Sequence, residues 1–116
     1  MRTEVLIDNE AANVQQIGSY QIDCGQDMRW LLMIKTDSLD GTPRAYVEES
    51  SNGSDWVALD NNDSAEGVID YFILDDPIVT IRDSFFMGKS IRLRFEPNDN
   101  TTGTVYAELI VKTKSN

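Results

Sequence analysis

Histidine is absent from the chain, and cysteine occurs once, at Cys24. The first absence removes the proton shuttle of Ser-His-Asp and Cys-His nucleophilic sites and leaves only carboxylate chemistry open to a catalyst. The two together exclude an internal disulfide and a Cys/His metal cluster, so Cys24 is expected to be a small core hydrophobe. Positive charge is scarce: ten Lys and Arg stand against twenty Asp and Glu, a net charge of −10. So acidic a chain repels phosphate backbones, which argues against nucleic acid as a partner and suits a basic protein surface. Long apolar runs are also missing. Val5 to Ile7 is too short for a signal peptide and no run approaches a membrane span, so no membrane partner is expected and synthesis in a reducing cytosol is.

What is present is alternation. The 116 residues suffice for one domain, 1–116: Thr3 to Ile7 either pairs as an edge strand or leads an N-terminal arm, 1–16, in which Asp8 to Gln16 reads as a loop, and the tail, 112–116, frays. The strongest hairpin signal is Arg44 to Leu59, RAYVEESSNGSDWVAL. A two-residue Asn52-Gly53 loop would set Glu49 against Trp56 and define no core face. A three-residue loop, Ser51-Asn52-Gly53 with Gly53 in the left-handed region, puts Ala45, Val47, Val57 and Leu59 on one face and Tyr46, Glu48, Trp56 and Ala58 on the other.

Further along, Tyr20, Ile22 and Cys24 share the inward side of a weak strand. RWLLMIKT (29–36) is apolar enough to be covered on both faces or to meet another subunit. VIDYFIL (68–74) reads as a strand, and Phe85-Phe86-Met87 as a packed corner or a contact patch. In the last third, Ile91, Leu93 and Phe95 match Leu109, Ala107 and Val105 in a hairpin, with Arg94 opposite Tyr106 and Arg92 opposite Glu108 on the outer side. Seven to eight short strands without a convincing helix predict an all-β fold, an antiparallel β-sandwich of immunoglobulin-like or jelly-roll type.

Chemistry is sparse. Asp60, Asn62, Ser64 and Glu66 imitate the opening of a calcium loop, but an EF-hand needs Gly and Glu where Ala65 and Tyr71 stand. Adjacent Asp75 and Asp76 point to opposite faces of a strand and cannot flank one glycosidic bond. The chain therefore reads as a non-enzyme with no metal and no cofactor. Asn52, Asn62 and Asn100 each begin a glycosylation sequon, read as chance matches in Asn-rich loops. The candidate interaction surface consists of Tyr46, Trp56, Trp30, Phe85, Phe86 and Met87, with the first three also open to stacking on a sugar. The plainer reading has Trp56 covering the end of the sandwich and Tyr46 packed beside it.

Tyr46 to Leu59, YVEESSNGSDWVAL, resembles the strand, Ser-Asn/Asp-Gly turn and Trp of small β-sandwich modules in tailed-bacteriophage virions. IRLRFEPNDNTTGTVYAELIVKTK (91–114) looks like their closing hairpin. The nearest resemblance is to head auxiliary, decoration and head-fibre proteins of crAss-like phages. It implies a structural protein made in the host bacterial cytoplasm and carried in the virion. Such a protein decorates or stabilises the capsid through contacts with capsid or tail subunits, as a homo-oligomer and without a cofactor. The Tyr…Ser-Asn-Gly…Trp pattern is also similar to discoidin-type carbohydrate-binding modules, which are longer and have cysteines this chain lacks. That resemblance implies the alternative, an adhesion module for a surface glycan.

Overall fold

The computed structural model describes residues 1–61 and 69–114, apart from the side chains of 82–84. The described residues form nine strands: β1 (Arg2–Ala11), β2 (Gln16–Gln21), β3 (Asp27–Asp37), β4 (Arg44–Ser50), β5 (Val57–Ala58), β6 (Phe72–Ile73), β7 (Ile78–Phe85), β8 (Ser90–Glu96) and β9 (Thr104–Thr113). Four strands make one antiparallel sheet in the order β1-β9-β3-β7; the other sheet runs β2-β8-β4-β5, with β6 also paired to β4. The fold is a β-sandwich.

Alternation builds the core. Trp30, Leu32 and Ile34 of β3, with Val105, Ala107, Leu109 and Val111 of β9, are buried from one sheet; Ala45, Val47, Ile91, Leu93 and Phe95 meet them from the other. At about 25 cal/mol per Å² of apolar surface, this interdigitated layer is the main source of stability. The apolar run in β3 is explained by its central place. Leu31 and Met33, on its other face, are only half-buried, opposite Ile110 and Glu108 of β9.

Several expectations are corrected. Strands β8 and β9 do not pair. Strand β8 lies between β2 and β4, and β9 between β1 and β3, so Ile91, Leu93 and Phe95 face β9 across the sandwich. The seven residues 97–103 cross between the sheets. Matching apolar alternation is what two strands facing each other across a core require, and it looks the same as a hairpin. The Arg94–Tyr106 and Arg92–Glu108 pairs therefore do not form.

In the central hairpin the two faces fall as the parity argument set them, but the loop is longer and the register differs by two residues. The ladder opens at Glu49–Val57 and Glu48–Ala58, and the Leu59 N–H donates to the Val47 carbonyl. The Asn52 side-chain oxygen accepts from Ser54 and Asp55, and Ser50 Oγ from Asn52 and Gly53. These local bonds satisfy the turn without a tight loop. Gly53 has φ +81° as expected, whereas Val57 is 73 % exposed rather than buried.

Cys24 is exposed, because β2 ends at Gln21 and the chain turns directly after the buried Ile22. Strand β1 extends to Ala11 as an edge, through much of a segment expected to be a loop. Two register shifts bend it, a device that blunts an edge against further pairing. Of VIDYFIL, only Phe72–Ile73 is assigned as strand, and Val68 lies outside the described residues.

Two polar clips tie the ends. Buried Asp27 accepts from the Arg2 guanidinium (2.8 Å), Tyr20 Oη (2.5 Å) and the Asp23 N–H (2.8 Å), joining β1, β2 and β3. Arg2 also donates to Tyr20 Oη. At the opposite end, buried Asn100 donates to the carbonyls of Ala12 (2.8 Å) and Thr102 (2.7 Å) and accepts from the N–H groups of Asp40 (2.9 Å) and Gly41 (3.0 Å). An amide so occupied has no free nitrogen for a glycan, which removes the Asn100 sequon on structural grounds.

Candidate interaction face

Side chains at even positions of β4 and β8 point away from the core and meet in cross-strand pairs: Tyr46 with Arg94, Glu48 with Arg92, and Arg44 with Glu96. Directly opposed side chains on one face stand close enough to stack, and here they do. The Arg92 guanidinium carbon lies 4.2 Å from the Trp56 ring centroid, Arg94 4.0 Å from Tyr46, and Arg44 4.3 Å from Tyr71. Tyr46 and Tyr71 meet at 5.7 Å with a 50° tilt. Cations thus alternate with aromatic rings across the face.

Glu48 is the anion at its centre. Only 7 % exposed, it accepts from Arg92 Nε at 2.8 Å and from Arg94 Nε at 3.3 Å. Arg94 reaches Glu96 as well, at 3.3 Å. Burial works against the Arg94 charge, but its hydrogen bonds and charge pairing with Glu48, then Glu96, outweigh that and hold its pKa above the ordinary arginine value. Ile17 on β2 and Ile73 on β6 stand exposed on the two strands flanking this row.

The structure brings together Tyr46 and Trp56 from the expected surface and disperses the rest. Trp30 has no exposed side; it lies fully buried in the core, because its place in the β3 alternation is inward. Phe85 is exposed with Arg29 4.7 Å from its ring, on the other sheet. Phe86 packs against the core and Tyr20, and Met87 projects at the corner after β7. Tyr71, Arg44 and Glu48 belong to the face and were not singled out. Their signal was the Tyr-x-Glu step of β4, which matches the Arg-x-Arg step of β8.

Of the imitation calcium loop, Asp60 is exposed and positions 62–66 lie outside the described residues, as does Asn62 of the second sequon. Asp75 and Asp76 are exposed. Among the described residues no group of three or more Cys, Asp or Glu side chains is placed to hold a metal ion.

No family model matches the chain, and no curated protein does. Among solved structures, a chain described as "CBM4 structure and function" matches with a TM-score of 0.44 and 12 % identity, over 97 % of this chain and 70 % of that one. A likeness of that size carries no argument about what either protein binds.

Proposed function

We propose that this is a non-enzymatic virion structural protein that decorates or stabilises a capsid by docking through the outer face of its five-stranded sheet. The observation that carries the reading is the gathering of Trp56, Tyr46, Tyr71, Arg44, Arg92 and Arg94 on that one face. Trp, Tyr and Arg are the residue types that dominate binding energy at protein contacts, since they offer large, stiff area with a polar tip. In a chain of net charge −10, placing three arginines on one sheet face marks that face off from an acidic remainder. The partner class, capsid or tail subunits, comes from the resemblance of Tyr46 to Leu59 to phage sandwich modules.

The test is co-sedimentation with particles of the parent virus assembled without this protein. The chain pellets with the particles, and the double variant Arg44→Glu, Trp56→Ala stays in the supernatant while keeping its far-UV circular dichroism. Pelleting of that variant, or no pelleting of the unaltered chain, overturns the reading. Light scattering on the purified chain reports whether it self-associates before docking.

One observation favours the glycan alternative, though at a different place. The rings of Trp56, Tyr46 and Tyr71 each already have a guanidinium stacked on them. On the other sheet the Lys35 ammonium stands further off, 5.9 Å from the Tyr106 ring, and a groove of about 420 Å³ surrounds that ring with Asn9, Asp37 and Thr104. A ring fringed by amide, ammonium, carboxylate and hydroxyl groups suits a saccharide. On this alternative, Tyr106→Ala abolishes binding to a glycan array and Trp56→Ala does not.

A further inference from the structure

The two sides of the sandwich are unlike. On one side β1 and β2 are pressed together, with Gly18 against the Leu6 backbone so closely that a methyl group would overlap it. On the other, β7 ends one sheet and β5, two residues long, ends the second. Exposed Val57 on β5, Ile78 and Phe85 on β7, and Met87 just after it belong to this second side.

A cleft of about 210 Å³ opens there, lined by Trp30, Val47, Val57, Ala58, Leu59 and Met87. It is larger than the roughly 150 Å³ apolar cavity that stays dry and takes up benzene. Fully buried Trp30 brings a donor without a hydrogen-bond partner among the described residues, its indole Nε1–H, which is closed to water in this structure. Buried donors are rarely left so, because they gave up water for nothing. A second groove of about 300 Å³ shares Glu49, Val57 and Met87 with the cleft and adds Asn52 and Asp55. Glu49 is held at the shared wall, accepting from the N–H groups of Met87 (2.9 Å) and Gly88 (3.3 Å).

We infer that this side is a binding site for an extended segment of a partner protein, which places one apolar side chain in the cleft and a neighbouring Lys or Arg beside Glu49 and Asp55. Three requirements choose that occupant. The cleft needs an apolar group the size of a leucine or phenylalanine side chain. The Trp30 N–H, closed to water here, gains an acceptor only once Met87 moves aside, and a peptide carbonyl is one. The two carboxylates repel anions and favour a cation within one residue's reach. Met87, unbranched and 83 % exposed, is the wall that yields on entry. The site is separate from the Arg and aromatic face, so it stands or falls independently of docking there.

The experiment is a titration of ¹⁵N-labelled full-length protein with Ac-Leu-Lys-NH₂, with Ac-Leu-Glu-NH₂ and Ac-Ser-Lys-NH₂ as controls, followed by NMR. The first peptide shifts the Trp30 indole N–H downfield and moves the Val57 and Met87 amides at millimolar concentration; the controls do so at least about ten-fold more weakly. Trp30→Phe keeps the apolar floor, removes the donor and weakens binding about five-fold, the value of one net hydrogen bond. Met87→Asp and Glu49→Gln, at the rim, carry the test if that core variant fails to fold: the first abolishes binding, and the second removes the preference for Lys over Glu. Equal shifts with all three peptides, shifts that spare Trp30, or none at all overturn the inference.

Discussion

The Arg92 guanidinium is held on two sides, by the Trp56 ring 4.2 Å away and by Glu48 Oε1 at 2.8 Å. Glu48 in turn serves Arg94, so one nearly buried carboxylate neutralises two half-buried cations. Removing it takes the carboxylate from partly desolvated Arg92 and leaves Arg94 with Glu96. Glu48→Gln is expected to cost about 2 kcal/mol, between the values for exposed and fully buried pairs. Urea denaturation measures it. A cycle with Arg92→Met gives a coupling above about 1 kcal/mol if the pair acts as a unit, and additive losses show that it does not.

How the sequence reading reached the right chemistry with the wrong partners follows from this pair. Tyr46-Val47-Glu48 and Tyr106-Ala107-Glu108 are both Tyr-x-Glu steps on alternating strands, and either one matches Arg92-Leu93-Arg94. Local pairing preference is worth a few tenths to 1 kcal/mol and cannot choose between them. The choice is made by the 97–103 crossover, which places β8 and β9 in different sheets, and loop composition does not encode that. What alternation does encode is the facing of each residue. Trp30, Leu32, Ile34, Ile91, Leu93, Phe95, Val105, Ala107, Leu109 and Val111 all fall inward as their parity requires. Cys24 fails because it lies just past a strand end, where parity has no meaning. The interaction face was half legible: Tyr46 and Trp56 share a side by parity, while Tyr71 joins them only because β6 returns to pair with β4.

Asn100 is expected to be the most sensitive polar position. Its side chain is buried and makes four hydrogen bonds, to Ala12, Thr102, Asp40 and Gly41. Asn100→Ala strands two carbonyls and two N–H groups, at an expected cost of about 3 kcal/mol. Asn52→Ala, in an exposed turn that makes local bonds only, is expected to cost less than about 1 kcal/mol. Thermal melts of the two variants order them, and equal losses would refute the assignment of Asn100 as the clip.

Acid is expected to loosen the same end of the molecule. The Asp40 carboxylate accepts from the Thr101 hydroxyl first and from the Thr101 N–H second, and these bonds hold its pKa below the usual aspartate value. A depressed folded pKa means the unfolded chain binds the proton more readily. The contribution is therefore complete above the unfolded value, near 4, and is lost as pH falls through the folded one. Thr101→Val removes the leading cause, so the difference in melting temperature between the variant and the unaltered chain shrinks from pH 6 to pH 3. A constant difference over that range would show that the hydroxyl does not act through the Asp40 charge.

Gly18 is expected to tolerate no side chain, although its φ is not of the left-handed kind. It sits on the inner face of β2 opposite Leu93, and a Cβ there would overlap the backbone carbonyl of Leu6 on β1. Neither neighbour is the far end of a flexible side chain, so relief requires the two sheets to part on their closed side. Gly18→Ala is expected to cost about 3 kcal/mol, the upper part of the range for overpacking. Because the strain falls on the β1–β2 contact, amide exchange in β1 should speed up more than in β7, the edge strand of the opposite side. Uniform acceleration across both edges would mean that the closed side is not separately secured by this contact.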